Sequence, residues 1–202
     1  MNFFEELKEQ RWDDHRYYHQ SRINQSLHFL SAICFLCSYV LLFINPIAAA
    51  FFGWILAMVL RQSGHFFFEP LDYDKVNQVT NEHKEKIKVG YNLHRKIILI
   101  SIWVATPFIL FIFPDLFGTL NAYTNTYEYF YNLSILWILL GAVALLFRTI
   151  HLFFIKDVRS GLVWMTKILT DPFHDIKIYH KSPLYLLKGQ LLDPMEHVKT
   201  HQ

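Results

Sequence analysis

Four apolar runs, at residues 27–44, 47–68, 97–113 and 133–155, constrain this chain more than any other feature. Each approaches the roughly 20-residue helix needed to cross a hydrocarbon core of about 30 Å. The second run shows the arithmetic. Residues 47–60 rise only about 21 Å as an α-helix, so that helix must continue through Arg61 and His65 to cross. With 53% of residues hydrophobic, the chain predicts an all-α polytopic membrane protein with four transmembrane helices. It reads as a single domain, 1–202, with cytosolic amphipathic helices in the N-terminal arm and in the tail at 156–202.

Charge sets the expected orientation. Of the 19 Lys and Arg residues, four precede the first run, six lie between Lys75 and Lys96, and seven follow Ile155. The two remaining joins, Asn45-Pro46 and 114–132, hold no Lys, Arg or His. The positive-inside rule therefore puts both termini in the cytosol, of a bacterial inner membrane or an endoplasmic reticulum. Net charge is only +2, with acids interleaved among bases, so no nucleic-acid surface is expected. Phe3, Phe4, Leu7 and Trp12 form an intermittent apolar stripe suited to lying on the membrane. Residues 82–96 predict a charged helix feeding the third span. Asp171-Pro172 and Ser182-Pro183 predict breaks that divide the tail into short helices.

All eleven histidines fall on the side expected to be cytosolic. His28, His65, His94 and His151 each lie near that end of one span, so an antiparallel bundle is expected to bring four imidazoles together. Ionisable groups inside spans are costly and tend to be functional, which favours His28 and His65 as ligands over His83, His174, His197 and His201, read as interfacial decoration. Imidazoles with a carboxylate and open positions suit iron that handles O2; imidazoles alone also suit zinc. Asn24/His28 and His65/Glu69 are i,i+4 pairs on common helix faces. Arg148 shares a face with His151 and has the fork geometry to hold a fatty-acid carboxylate. Cys34 and Cys37, inside the first span, are read as packing residues.

Tyr18-His19, Asn24 and His28 spell Y-H-x4-N-x3-H, and the second span ends Gly64-His65-Phe66-Phe67-Phe68-Glu69, or G-H-x2-F-E. This pair resembles the signature of the membrane 2-hydroxy fatty acid dioxygenases, iron(II) enzymes of fatty-acid α-oxidation. The resemblance covers residues 12–70. It implies His19, His28 and His65 as metal ligands, Asn24 and Glu69 as supporting catalytic residues, Fe(2+) as cofactor, and a long-chain 2-hydroxy fatty acid and O2 as substrates, with membrane lipid as partner and the acyl chain kept in the bilayer. The implied net reaction, RCH(OH)COOH + O2 → RCOOH + CO2 + H2O, needs no co-substrate. His94, His151 and His180 are the candidates to complete the metal's coordination. Arg22 replaces a proline common in the family's first motif, and after Glu69 the sequence departs from the family pattern. Two rivals stand beside this reading. One is a di-iron lipid hydroxylase, for which His15 and His19 supply H-x3-H but no H-x2-H-H follows. The other is a lipid- or metal-binding membrane protein without catalysis.

Overall fold

The computed structural model describes residues 1–69 and 72–195; the histidines at 197 and 201 lie outside them. Among the described residues the chain is 74% helical with no strand, and four helices are long and apolar enough to cross a membrane. Helix α1 (Phe3–Tyr18) opens on a capping box in which Asn2 accepts from the Glu5 N–H and the Glu5 carboxylate returns to the Asn2 N–H. The first spanning helix, α2 (Arg22–Leu41), starts five residues before the apolar run because Ser21 caps it.

Asn45 caps the second span, α3 (Pro46–Phe67), with Pro46 at its first position, where the missing N–H costs nothing. Its middle, Phe51–Ala57, is wound as a π-helix. The two spans form a hairpin closed by small polar groups: Ser31 Oγ donates to the Ala57 carbonyl and Ser38 Oγ to the Ala49 carbonyl, both at 2.8 Å. The buried stripe of α2 accordingly reads Asn24, His28, Ser31, Ala32 and Ser38.

The stretch expected as one helix at 82–96 is two. Helix α4 (Asn81–Ile87) ends before Lys88, and the third span α5 (Leu93–Ile112) begins afresh at an Asn92 cap. The break is held open by Arg148, whose guanidinium donates twice to the Val89 carbonyl. Pro107 inside α5 removes the N–H that would bond the Trp103 carbonyl, and Trp137 Nε1 donates to that carbonyl instead at 3.2 Å. Trp137 lies on the fourth span, α6 (Thr126–Ile155), paired along its length with α5. The outer faces of α5 and α6 leave Ile98, Ile102, Phe108, Phe111, Val143 and Phe147 exposed, apolar surface that lipid would cover.

The tail differs from expectation in one decisive respect. Asp171-Pro172 does not break it: α7 (Val158–Tyr179) is a continuous 22-residue helix, capped by Asp157, running through Pro172. It is no surface helix either, since it buries Trp164, Lys167, Asp171, Asp175 and Tyr179 against α1, α2 and α6. Packing supplies what the proline removes. Gly161 permits the close turn from α6, because a Cβ there would lie 2.7 Å from the Thr149 carbonyl and 2.5 Å from the Phe153 ring. After α8 (Ser182–Leu187) the chain returns to the start of α2. Arg22 N–H donates to Leu191 O and Asp193 N–H to Gln20 O, and the Asp193 carboxylate pairs with Arg22 at 3.0 Å.

Candidate metal centre

His19 sits in the short link between α1 and α2, His28 in the second turn of α2, and His65 in the last turn of α3. The link is fixed by side chains of α2. Asn24 Nδ2 donates to the Tyr18 carbonyl and Gln25 Nε2 to the His19 carbonyl, both at 2.8 Å. Gln25 is locked in turn by Asp193 at 2.9 Å and by the Ser182 hydroxyl at 2.6 Å. The returning tail thus clamps the segment that carries His19.

Gly64 explains the other approach. A Cβ at this position would fall 2.2 Å from Asn24 Oδ1 and 3.5 Å from His28 Cδ2, so only glycine lets α3 bring His65 against α2. The result is three imidazoles with ring centroids 4.1 Å (His19–His28), 4.9 Å (His28–His65) and 5.3 Å (His19–His65) apart. One nitrogen from each lies within 4.8 Å of the others.

The polar bookkeeping of these rings points inward. His65 Nδ1 is held by Glu69 Oε2 at 2.8 Å, and His19 Nδ1 by the Tyr179 hydroxyl at 3.0 Å; that hydroxyl also meets His15 Nδ1 at 3.0 Å. Among the described residues, His19 Nε2 and both nitrogens of the fully buried His28 have no hydrogen-bond partner. Asp175 Oδ2 lies 3.6 Å from His28 Nδ1. Buried polar atoms are rarely left unpaired, because each costs about 1–3 kcal/mol. Several in one chamber, with outer nitrogens oriented by a carboxylate and a phenol, form the arrangement in which histidines bind a divalent metal. Burial, with His28 adjacent, holds the His19 imidazole well below its usual range although Asp14 opposes the shift, which favours the neutral form that coordination requires. The donor set therefore fits a transition metal such as iron(II) or zinc.

Behind the histidines lies a buried charge network. Arg61 bonds Asp175 at 3.0 Å, and Lys167 bonds Asp171 at 2.7 Å and also Asp14. Burial would lower the Lys167 ammonium, but Asp14 and Asp171 more than offset it and raise it above its ordinary value. Burial pushes the Asp175 carboxyl up against the pull of Arg61 and Lys167. It also raises the Glu69 carboxyl, against Lys88. None of Asp14, Asp171, Asp175 and Tyr179 was expected at the site. Asp171, Asp175 and Tyr179 follow Lys167 at four-residue steps on one face of α7, and only the packing of that face distinguishes it from a solvated one.

A cavity of about 540 Å³ adjoins this centre. Its polar end is lined by Asp14, Arg61, His65, Lys88 and Lys96, and its walls by Leu99, Ile100, Trp54, Trp103 and Leu145. It reaches Leu42, Ala49 and Ala50 at the far turn of the α2–α3 hairpin. His65 is common to cavity and histidine group.

Two of the four span-end histidines do not join the group. His94 is exposed, and His151 Nδ1 contacts the Arg148 guanidinium at 2.8 Å while its ring stacks on Phe147. The reason is that α5 and α6 pair with each other and reach the rest through α3 and α7, so α7 occupies the place beside α2 that a closed four-span bundle would give them. His180 is exposed and bonds the Lys177 carbonyl. Arg148 is committed to Val89 and does not line the cavity. No protein-family model, curated protein or solved structure matches the chain.

Proposed function

We propose that this chain is a membrane-bound iron(II) dioxygenase that converts long-chain 2-hydroxy fatty acids to the acid one carbon shorter, with its histidine-bearing helix ends at the cytosolic face. One observation carries the reading: a three-histidine group, with His19 and His28 buried and His65 half-buried, opens through His65 onto the polar end of a long apolar cavity. An acyl chain in that cavity places its oxygen-bearing head beside His65.

Each residue has a distinct task. His19, His28 and His65 would hold the ion, Glu69 and Tyr179 orient His65 and His19, and Asn24 with Gly64 sets the spacing between the two ligand-bearing helices. Iron(II) bound there would supply the redox chemistry that O2 requires. The apolar walls exclude water and fix the chain, and holding reactants in one geometry lowers the barrier. The 2-hydroxyl distinguishes the substrate, since it and the carboxylate together present two adjacent oxygens where a plain fatty acid presents only its carboxylate.

The test supplies purified protein with iron(II), air, and either a 2-hydroxy or a plain fatty acid, and follows products by mass. The expected result is a shortened acid and CO2 from the 2-hydroxy acid alone. Hydroxylation or desaturation of the plain acid would instead indicate a di-iron enzyme. Conversion of neither, with metal bound, would indicate a binding protein.

A further inference from the structure

Lys96 occupies the first turn of α5 and lines the polar end of the cavity. Its face of the helix continues Leu99, Ile100 and Trp103, at i+3, i+4 and i+7, all three cavity walls. One cation therefore heads an apolar stripe that runs along the cavity. The neighbouring cations are already engaged. Arg61 pairs with Asp175, and Lys88 with Glu69 at 3.4 Å and Glu85 at 3.2 Å, with the Tyr18 ring beneath its ammonium. Among the described residues no ion pair or side-chain hydrogen bond engages the Lys96 ammonium.

A half-buried ammonium at the head of an apolar channel, with no carboxylate of its own, suits an anion carrying an apolar tail. We propose that Lys96 is the anchor for the carboxylate of a single-chain fatty acid, the role expected of Arg148 from the sequence. A lysine suits the task as a point charge on a flexible stem, holding the carboxylate without fixing its plane. The chain then descends past Leu99, Ile100 and Trp103, and the carbons next to the carboxylate face His65. The inference rests on the cavity being the substrate site proposed above. It adds the residue that sets which carbon meets the histidines.

The experiment measures binding of hexadecanoic acid and of hexadecan-1-ol to metal-free protein in nanodiscs of neutral lipid, for the natural chain, Lys96→Met and Lys96→Arg. Lys96→Met is expected to weaken the acid roughly ten- to a hundredfold, the span of one charge-assisted hydrogen bond. The alcohol is expected to be unchanged, and Lys96→Arg to restore the acid. Unchanged acid affinity in Lys96→Met, equal losses for acid and alcohol, or an arginine variant as weak as the methionine one would each overturn the proposal. Because no metal is needed, Lys96-dependent acid binding stands even if no 2-hydroxy acid is oxidised. Conversely, oxidation whose KM is indifferent to Lys96→Met would remove the anchor and leave the dioxygenase reading intact. A phosphate-headed single-chain lipid that displaces the acid more tightly than the acid binds would assign the site to a phospholipid headgroup and overturn the carboxylate.

Discussion

Replacing Gly64 by alanine adds one methyl group at the point where α3 meets α2. The added Cβ would lie 2.2 Å from Asn24 Oδ1 and 3.2 Å from Asn24 Cγ, so one of the two must move by about 1 Å to reach van der Waals contact. Asn24 is fully buried and its amide is tied to the Tyr18 carbonyl at 2.8 Å, so it has little room to yield. Overpacking of this kind costs about 1–3 kcal/mol, while alanine in place of glycine inside a helix gains up to about 1 kcal/mol. The net expectation is a loss of about 0–2 kcal/mol, with displacement of His28 and His65 relative to one another. An Asn24→Ala background removes the obstructing amide, and there Gly64→Ala should stabilise by up to about 1 kcal/mol. The assay is a double-mutant cycle of thermal unfolding in detergent with metal affinity measured in parallel. Opposite signs of the Gly64→Ala effect in the two backgrounds are expected. The same effect in both would refute the idea that Gly64 exists to clear Asn24.

Glu69→Gln keeps the shape of the partner of His65 Nδ1 but removes its charge, and should weaken metal binding by about 10–100-fold, read by competition with a chelator. Asp14 is held below its ordinary range because Lys167 outweighs the effect of its desolvation. Its pairing therefore stabilises the fold above the unfolded value and is lost as pH falls through the lowered one, so the unfolding midpoint should drop on acidification below about pH 4, less steeply in Asp14→Asn. Single cysteines placed at the exposed positions Thr124, Lys86 and Lys188, in a Cys34→Ala/Cys37→Ala background, should label from outside at Thr124 and from the cytosol at the other two; external labelling at Lys86 would reverse the proposed orientation.

The spans were legible because length and hydropathy act locally: a run near 20 apolar residues has few alternatives to crossing a membrane. Asn45-Pro46 was legible for the same reason, since its capping chemistry is contained in two residues. The histidine group was legible through His19, His28 and His65, which two short motifs bracket, and Gly64 shows why the second motif opens with glycine. What escaped was long-range. Lys167, Asp171 and Asp175 look like the solvated face of a surface helix until α1 supplies Asp14 and α3 supplies Arg61 as partners. Pro172 looks like a break unless packing on both sides holds the helix together. His94 and His151 would reach the site only if the four span ends surrounded one axis. The tail helix α7 occupies that position, and no local pattern announces it.

Metal stoichiometry of the detergent-purified chain, prepared without oxygen and supplied with iron(II), tests the central claim most directly. One iron per chain is predicted for the natural sequence and for His94→Ala, and none for His28→Ala or His65→Ala, with all variants still inserted in the membrane. Full occupancy after His28→Ala, or two irons per chain, would contradict the three-histidine centre.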